Sequence, residues 1–217
     1  MTPSPLVYAP GTGLVIVDCG LGNVGSVRNM LKRAGIEATL SAREEDLRAA
    51  TRLILPGVGA FDEGMRRLTA SGLRPALEER VLRDRIPILG ICLGMQLMTA
   101  GSEEGQSPGL GWLDAVTVRF RLPPDASRLR IPHMGWNEVR LRQDSALLPE
   151  IDGERRYYFV HSYHVVCRNP ADVLATASHG EQFVAAFRHD NIVGVQFHPE
   201  KSHRFGMAML TAFAALQ

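Results

Sequence analysis

The feature that most constrains the fold is a recurring unit in which a short apolar run passes through a glycine-rich turn into a helix. The first copy joins the apolar run 13–18 and the turn 20–25 to apolar residues at helical spacing, and it ends at Gly35. Similar units occupy residues 52–85 and 87–100. This alternation predicts an α/β fold with a mostly parallel central sheet flanked by helices.

The second half of the chain has a different pattern. Short alternating runs at 115–120, 156–160, 173–178 and 184–188 predict additional antiparallel strands at the edge of the sheet. A buried strand at 192–197 and a helix at 206–216 complete the pattern. We therefore expect a flexible N-terminal leader, 1–12, followed by a single domain, 13–217.

Composition narrows the function. The 217 residues carry 24 Lys and Arg against 23 Asp and Glu, so the net charge of +1 favours neither nucleic acid nor an anionic membrane as a partner. The longest apolar stretch, 86–95, is much shorter than the roughly 18 residues that span a bilayer. The absence of basic residues before Arg28 argues against a signal peptide, and we expect a cytoplasmic protein.

A glycine motif follows the first strand. Gly20-x-Gly22-x-x-Gly25 fits a dinucleotide-binding turn, but the confirming acid is missing at the end of the second strand, where Ser41 stands. A tight turn with Asn23 as the N-cap of the helix explains the same residues.

The strongest chemical signal is Gly90-Ile-Cys92-Leu-Gly94, between an apolar strand and a helix. This is the form of a nucleophile elbow with a thiol as the nucleophile. Glycines are needed because side chains at the flanking positions would collide with neighbouring elements, and the strained turn exposes the sulfur. The helix N-terminus beside Cys92 favours a thiolate. The alternative is a buried, inert cysteine.

A base and its orienting acid are predicted at the end of the last strand, in Gln196-Phe-His198-Pro-Glu200. Residues two apart in an extended chain point to the same side, so His198 and Glu200 can act together with Cys92 as a triad. The alternative is a solvated histidine and a surface glutamate.

The loop 55–59 follows the strand expected to neighbour that of Cys92. The backbone N–H groups of Val58 and Leu93 are therefore candidates for an oxyanion hole. A plain glycine-rich loop is the competing interpretation.

The histidine pair His161 and His164, and the tryptophan Trp136, each allow two interpretations. His161 and His164 suggest a metal site, but their odd separation would place them on opposite faces of a continuous strand, and we predict no metal. Trp136 is either a half-buried core residue or an interface anchor.

Taken together, these motifs resemble the class I, triad-type glutamine amidotransferases. Within that family, the block 132–137 and Lys201 resemble the glutaminase subunits that serve an imidazole glycerol phosphate synthase. The fold implied is flavodoxin-like. The markers are Gly22-Asn23, Pro56-Gly-Val-Gly-Ala-Phe61, Gly90-Ile-Cys-Leu-Gly-Met-Gln96, Pro132-His-Met-Gly-Trp-Asn137, Tyr157-Tyr-Phe-Val-His161 and His198-Pro-Glu-Lys-Ser202.

The resemblance implies hydrolysis of glutamine, with no cofactor, and delivery of the ammonia to a cyclase subunit in a heterodimer of histidine biosynthesis. It implies substrate contacts and a surface facing the cyclase. The substrate contacts are Gln96, Glu104, Ser162 and Tyr163. The cyclase-facing residues are Met134, Trp136 and Lys201. The alternatives are a class I amidotransferase serving anthranilate, pyridoxal phosphate or GMP synthesis, a cysteine peptidase or other hydrolase, and a non-catalytic binding subunit.

Overall fold

The structure is a computed structural model that describes residues 13–124 and 129–216, so the predicted leader 1–12 lies outside the described residues. The strands are β1 (Leu14–Val17), β2 (Thr39–Ser41), β3 (Arg52–Gly57), β4 (Ile88–Cys92), β5 (Ala115–Arg119), β6 (His133–Glu138), β7 (Arg140–Leu141), β8 (Arg156–His161), β9 (Tyr163–Cys167), β10 (Val173–His179), β11 (Glu181–His189) and β12 (Ile192–Val195). The helices are α1 (Val24–Arg33), α2 (Glu44–Ala49), α3 (Phe61–Ala70), α4 (Arg74–Glu78), α5 (Leu93–Leu97) and α6 (His203–Ala214). A π-helical turn (Glu79–Arg83) and two 3₁₀ turns (Pro170–Asp172 and Pro199–Lys201) connect them.

Eight strands form the central sheet in the order β2-β1-β3-β4-β12-β11-β10-β7. The first five are parallel, and the last three run antiparallel to their neighbours. The predicted α/β class, with a mostly parallel sheet and antiparallel edge strands, is confirmed. Because β3 and β12 flank β4, loops that follow three adjacent strands meet at one edge of the sheet.

Two of the predicted edge strands are not in this sheet, which corrects the sequence-based assignment. β5 pairs with β9, and β8 pairs with β6, in two separate two-stranded ribbons. The buried side chains of β8, Tyr157 and Phe159, join the core on one face of the sheet. Period-two alternation shows that one face of a strand is buried. It does not show whether the strand pairs with the edge of a sheet or packs over the face of that sheet.

The sheet separates two hydrophobic cores. Along β1, Leu14 and Ile16 enter one core, whereas Val15 and Val17 enter the other. Helices α1 and α6 pack into the first core, and α2, α3 and α4 pack into the second. The two-sided burial explains why the parallel strands β1, β4 and β12 are buried and apolar throughout, without alternation.

The helical segments are shorter than predicted. The stretch expected to reach residue 85 is divided at Gly72, whose φ of +73° suits glycine and ends the preceding helix. The helix after Cys92 ends at Leu97 rather than near Ala100. In the described part of the chain, no helix is both long enough and apolar enough to cross a membrane.

Candidate active site

Cys92 lies on a strained turn between β4 and α5. Its φ is +52°, a conformation that a non-glycine residue adopts only when its surroundings enforce it. A Cβ at Gly90 would lie 2.7 Å from the Met95 nitrogen, and one at Gly94 would overlap the Leu55 carbonyl oxygen. The predicted strain and the predicted steric need for both glycines are confirmed.

The loop after β3 lies beside this turn. Gly57 is paired with Cys92 in the sheet, and a Cβ on Gly57 would lie 2.7 Å from the Gly94 nitrogen, so the two turns are in direct contact. Val58 follows immediately and lines the same cleft as Leu93. The proximity supports both residues as oxyanion-hole donors, a role that stays a prediction.

His198 approaches from the neighbouring strand on the other side, just beyond the end of β12. Its backbone N–H donates to the Tyr158 carbonyl (2.9 Å), and its ring Nδ1 lies 2.8 Å from Oε1 of Glu200. The two side chains are 1% and 4% exposed. Because a carboxylate accepts, Nδ1 carries the hydrogen, which leaves Nε2 for chemistry. These contacts argue against a solvated histidine and a surface glutamate.

The electrostatics of this histidine are set by its two partners. Burial lowers the pKa of His198, but the interactions with Cys92 and Glu200 outweigh it and raise the pKa to about 10. Nε2 is buried and makes no hydrogen bond of ordinary geometry with the described residues, so Cys92 acts as a close neighbour rather than an aligned partner. A cationic imidazolium beside the sulfur favours the thiolate, the nucleophilic form of cysteine.

Cys92 and His198 open onto a cleft of about 470 Å³. All of the predicted substrate-binding residues and both oxyanion candidates line it, whereas Glu200 stands behind His198. The lining residues are Val58, Gly59, Cys92, Leu93, Gln96, Glu104, Pro132, Val160, His161, Ser162, Tyr163, His198 and Lys201.

Two of the substrate candidates have contacts that limit what they can offer. Glu104 accepts a hydrogen bond from the Phe61 N–H (2.9 Å) at the start of α3, which fixes its carboxylate at the rim of the cleft. Gln96 donates from Nε2 to the Tyr163 carbonyl and to the side chain of Gln196, both at 3.1 Å. The atom that Gln96 can offer to a ligand is therefore Oε1.

The candidate interface residues lie on one exposed face. Along β6, Met134 and Trp136 are 63% and 40% exposed, whereas His133 on the opposite face is buried. The Trp136 ring stacks on His203 at 5.6 Å between centroids, and Lys201 lies over the ring of Tyr158. An exposed Met and Trp held by neighbours suit an interface anchor better than a core residue.

His161 and His164 are expected on opposite faces if one strand runs through both, but the strand is not continuous. A bend at Ser162 separates β8 from β9, and both histidine rings contact Phe120 at centroid distances of 5.2 and 4.7 Å. The rule of alternating faces applies only within one continuous strand. Residues 13–124 and 129–216 contain no group of side chains that could hold a metal ion.

Sequence reasoning missed Gln196 as a site residue. It is fully buried, and its Nε2 lies 3.7 Å from the Cys92 sulfur. The signal was present: an amide inside an otherwise apolar strand, two residues before the predicted base, must have a buried hydrogen-bond partner.

The glycine motif at 20–25 forms a turn rather than a nucleotide site. Asn23 caps α1 by accepting from the Ser26 N–H at 3.2 Å, as predicted. A Cβ on Gly22 would lie 3.1 Å from the Gly57 nitrogen, so this turn packs against the loop beside Cys92. The close packing explains the glycine without a ligand.

Comparison with known proteins places this geometry in context. The family model for "Glutamine amidotransferase class-I" matches residues 15–215. The chain is 48% identical over 203 residues to imidazole glycerol phosphate synthase subunit HisH 2 of Pseudomonas aeruginosa, covering 94% of this chain and 99% of that protein. It is 46% identical over 200 residues to the subunit of the same name from Methanococcus maripaludis, covering 92% and 98%.

Solved structures agree on the fold. A crystal structure of a glutamine amidotransferase superposes with a TM-score of 0.68 at 22% identity, covering 93% of this chain and 99% of that one. The structure of PurLQS from Thermotoga maritima superposes with a TM-score of 0.67 at 17% identity, covering 92% and 96%. At this identity the likeness concerns the fold alone.

Proposed function

Because this chain belongs to the class-I glutamine amidotransferase family, we propose that it is the glutaminase subunit of an imidazole glycerol phosphate synthase. It hydrolyses glutamine to glutamate and ammonia, and it supplies the ammonia to a cyclase subunit in a heterodimer. The cyclase makes imidazole glycerol phosphate and aminoimidazole carboxamide ribotide in histidine biosynthesis.

The observation that carries this proposal is the convergence of Cys92, His198 and Glu200 at one cleft, in a chain 48% identical to a subunit of that synthase along almost its whole length. The nucleophile, the base and the orienting acid are the parts that amide hydrolysis by a thiol requires. A vestigial binding subunit would not need a buried, paired His198 and Glu200.

In the first half of the reaction, the Cys92 thiolate attacks the carboxamide carbon of glutamine. The N–H groups of Val58 and Leu93 stabilise the negative charge that develops on the carbonyl oxygen. The His198 imidazolium then gives its Nε2 proton to the departing nitrogen, which leaves as ammonia, and a thioester remains on Cys92.

In the second half, neutral His198 accepts a proton from water as the water attacks the thioester. Collapse of the tetrahedral intermediate releases glutamate and restores the thiolate beside an imidazolium. Glu200 keeps the hydrogen on Nδ1 throughout and stabilises the cation. Each half of the cycle returns what the other consumes, so no cofactor enters.

The remaining residues of the site hold the substrate and the partner. Glu104 meets the α-ammonium group of glutamine, Ser162 and Tyr163 meet its α-carboxylate, and Gln96 offers Oε1; the position of all four residues in the lining of the cleft supports these roles. Met134, Trp136 and Lys201 form the surface that faces the cyclase; Lys201 also lines the cleft, which connects that surface to the chemistry.

The same proposal includes one amidotransferase domain over 13–217 and a cytoplasmic location. The family model spans 15–215. The three cysteines Cys19, Cys92 and Cys167 are free thiols, in keeping with a reducing compartment.

The test is glutamate release from glutamine by the purified chain, alone and with a cyclase subunit plus its ribotide ligand. Cys92→Ala is the control. We expect low turnover alone, a sharp rise with partner and ligand, and no turnover in the variant. Turnover that the partner does not change would reject the histidine-pathway assignment, and no glutamate under any condition would reject a glutaminase.

A further inference from the structure

Gln196 has a polar side chain that is buried beside the nucleophile Cys92. The proposed mechanism of glutamine hydrolysis does not use this side chain. It follows β12 and is held in place by its backbone N–H, which donates to the Ala185 carbonyl at 2.9 Å. Its side chain has no exposed surface and does not line the cleft. Its two amide atoms face different neighbours, the Cys92 sulfur at 3.7 Å and the Gln96 amide at 3.1 Å.

Which amide atom faces the sulfur decides the chemistry. A thiolate accepts hydrogen bonds, so an N–H group stabilises it, whereas an amide oxygen at the same place would repel it. An isolated glutamine can present either atom, and the direction must be set by the hydrogen-bond network.

Here the network has a fixed end. The Tyr163 carbonyl can only accept, so Gln96 must turn its NH₂ group toward it, at 3.1 Å. The same NH₂ group then donates to the Gln196 side chain, so the accepting atom of Gln196 must be Oε1. Gln196 is left with Nε2 facing Cys92. A backbone carbonyl thus sets the direction of two amides in series.

The Tyr163 carbonyl is itself held in place by a second hydrogen bond, from His161. His161 Nδ1 lies 2.8 Å from the same Tyr163 carbonyl and donates to it, and His161 Nε2 accepts from Nδ1 of His133 at 3.2 Å. Both histidines have a pKa below the ordinary value because they are buried, so they stay neutral and keep these directions. The carbonyl has two lone pairs, and both are used.

We propose that Gln196 holds the sulfur of Cys92 as a thiolate by donating its Nε2–H to it, and that Gln96 is the positioning residue that orients the Gln196 amide. This inference rests on the proposed function for its role in turnover, but its effect on the thiol precedes glutamine binding. Gln96 accordingly has two roles. Its N–H groups donate to the Tyr163 carbonyl and to Gln196, and its Oε1 is directed to the substrate.

The direct test is the pH dependence of Cys92 alkylation by iodoacetamide, followed by mass spectrometry of the peptide that contains Cys92. The titratable side chains that share the cleft with Cys92 are Glu104, His161, Tyr163, His198 and Lys201, and all of them stay in place. In Gln196→Met, we expect alkylation at neutral pH to slow by about tenfold or more, and its midpoint to move up by about one pH unit, because a hydrogen bond to a charged group is lost.

The matched control is Gln143→Met, the same substitution at an exposed glutamine whose Nε2 donates to backbone carbonyls near β10. It should leave the alkylation profile of Cys92 unchanged. Gln96→Met leaves Gln196 in place but free to turn, and we expect a smaller slowing in the same direction. This second variant keeps the test decisive if Gln196→Met does not fold, as judged by its thermal unfolding.

Turnover with the cyclase partner separates the two residues. Gln196→Met should lower kcat with little change in KM, since Gln196 does not line the cleft, whereas Gln96→Met should also raise KM. An alkylation profile of Cys92 that is unchanged in both variants would overturn the inference. A shifted profile in a chain that never hydrolyses glutamine would support the inference and reject the proposed function.

Discussion

Two buried histidines, His198 in the cleft and His133 in strand β6, behave in opposite ways. His198 is 1% exposed and has a pKa raised to about 10, whereas His133 is 5% exposed and has a pKa lowered to about 4. Burial lowers both values. The difference comes from partners: His198 has Glu200 at 2.8 Å and the Cys92 sulfur nearby, which raise its pKa, whereas His133 hydrogen-bonds the neutral side chains of His161 and Asn137 and lies against His179, which lowers its pKa further.

The comparison shows how one residue type serves two purposes. A carboxylate and a thiol beside an imidazole make it a proton donor and acceptor for the chemistry. Neutral hydrogen-bond partners in the same low-dielectric interior leave it a fixed hydrogen-bonding group that does not titrate near neutral pH. Burial alone predicts neither role.

Cys92→Ala should have the largest effect. We expect glutamate release with the partner to fall by at least about 10³-fold, because the nucleophile is absent, while the fold is kept since a small cavity costs little at a turn. The pKa of His198, followed by NMR, should move down toward that of His133. Retained turnover would exclude Cys92 as the nucleophile.

Glu200→Gln should come next. Losing the carboxylate removes the charge that stabilises the His198 cation and the acceptor that keeps the hydrogen on Nδ1 when the ring is neutral, so we expect turnover to fall by roughly 10²- to 10⁴-fold and the pKa of His198 to drop. Glu104→Gln is the matched control, since this cleft carboxylate does not contact His198. It should raise KM more than it lowers kcat. Equal kinetic changes in the two variants would contradict the triad.

The low pKa of His133 also predicts that the folded protein becomes less stable in acid. The folded protein binds a proton on His133 only near pH 4, whereas the unfolded chain binds it near pH 6.5, so the free energy of unfolding decreases as the pH falls through this range. The contribution is on the order of 3 kcal/mol. Urea unfolding of the parent and of His133→Asn, at several pH values, measures it. Identical slopes in the two proteins would show that His133 is not responsible.

Asn137→Asp tests whether a carboxylate converts one kind of histidine into the other. The Asn137 side chain lies 3.2 Å from Nε2 of His133. A charged oxygen there should raise the pKa of His133 by roughly one to three units, as measured by NMR titration. No upward change would mean that burial, rather than the missing carboxylate, keeps His133 neutral.

Lys201→Ala should have the smallest effect. Lys201 lies over the ring of Tyr158, beside the backbone contact of His198. We expect activation by the cyclase to fall several-fold, and to fall by more than the turnover of the isolated chain, because a charge at the rim of an interface affects mainly the partner. Full activation by the partner would remove Lys201 from the interface.

Much of this site could be predicted from the sequence because its parts are local. The glycines around Cys92 are required by the strain of a single turn, and the spacing of His198 and Glu200 follows from one extended segment. The apolar strands and their helices likewise follow from periodicity within each segment. The separate ribbons of β5 and β8 could not be found in this way, because alternation does not name the neighbour of a strand.

What the sequence by itself determined was which residues have chemistry to offer: a thiol at an elbow, and a base and an acid at a strand end. Only the tertiary structure decided the pKa values and the hydrogen-bond directions of these residues. The bend at Ser162 brought His161 and His164 to one cluster, and contacts about 100 residues apart in the chain placed Gln196 beside both Gln96 and the Cys92 sulfur. The physical reason is that a pKa or the direction of an amide depends on the atoms within a few ångströms, and folding selects those neighbours.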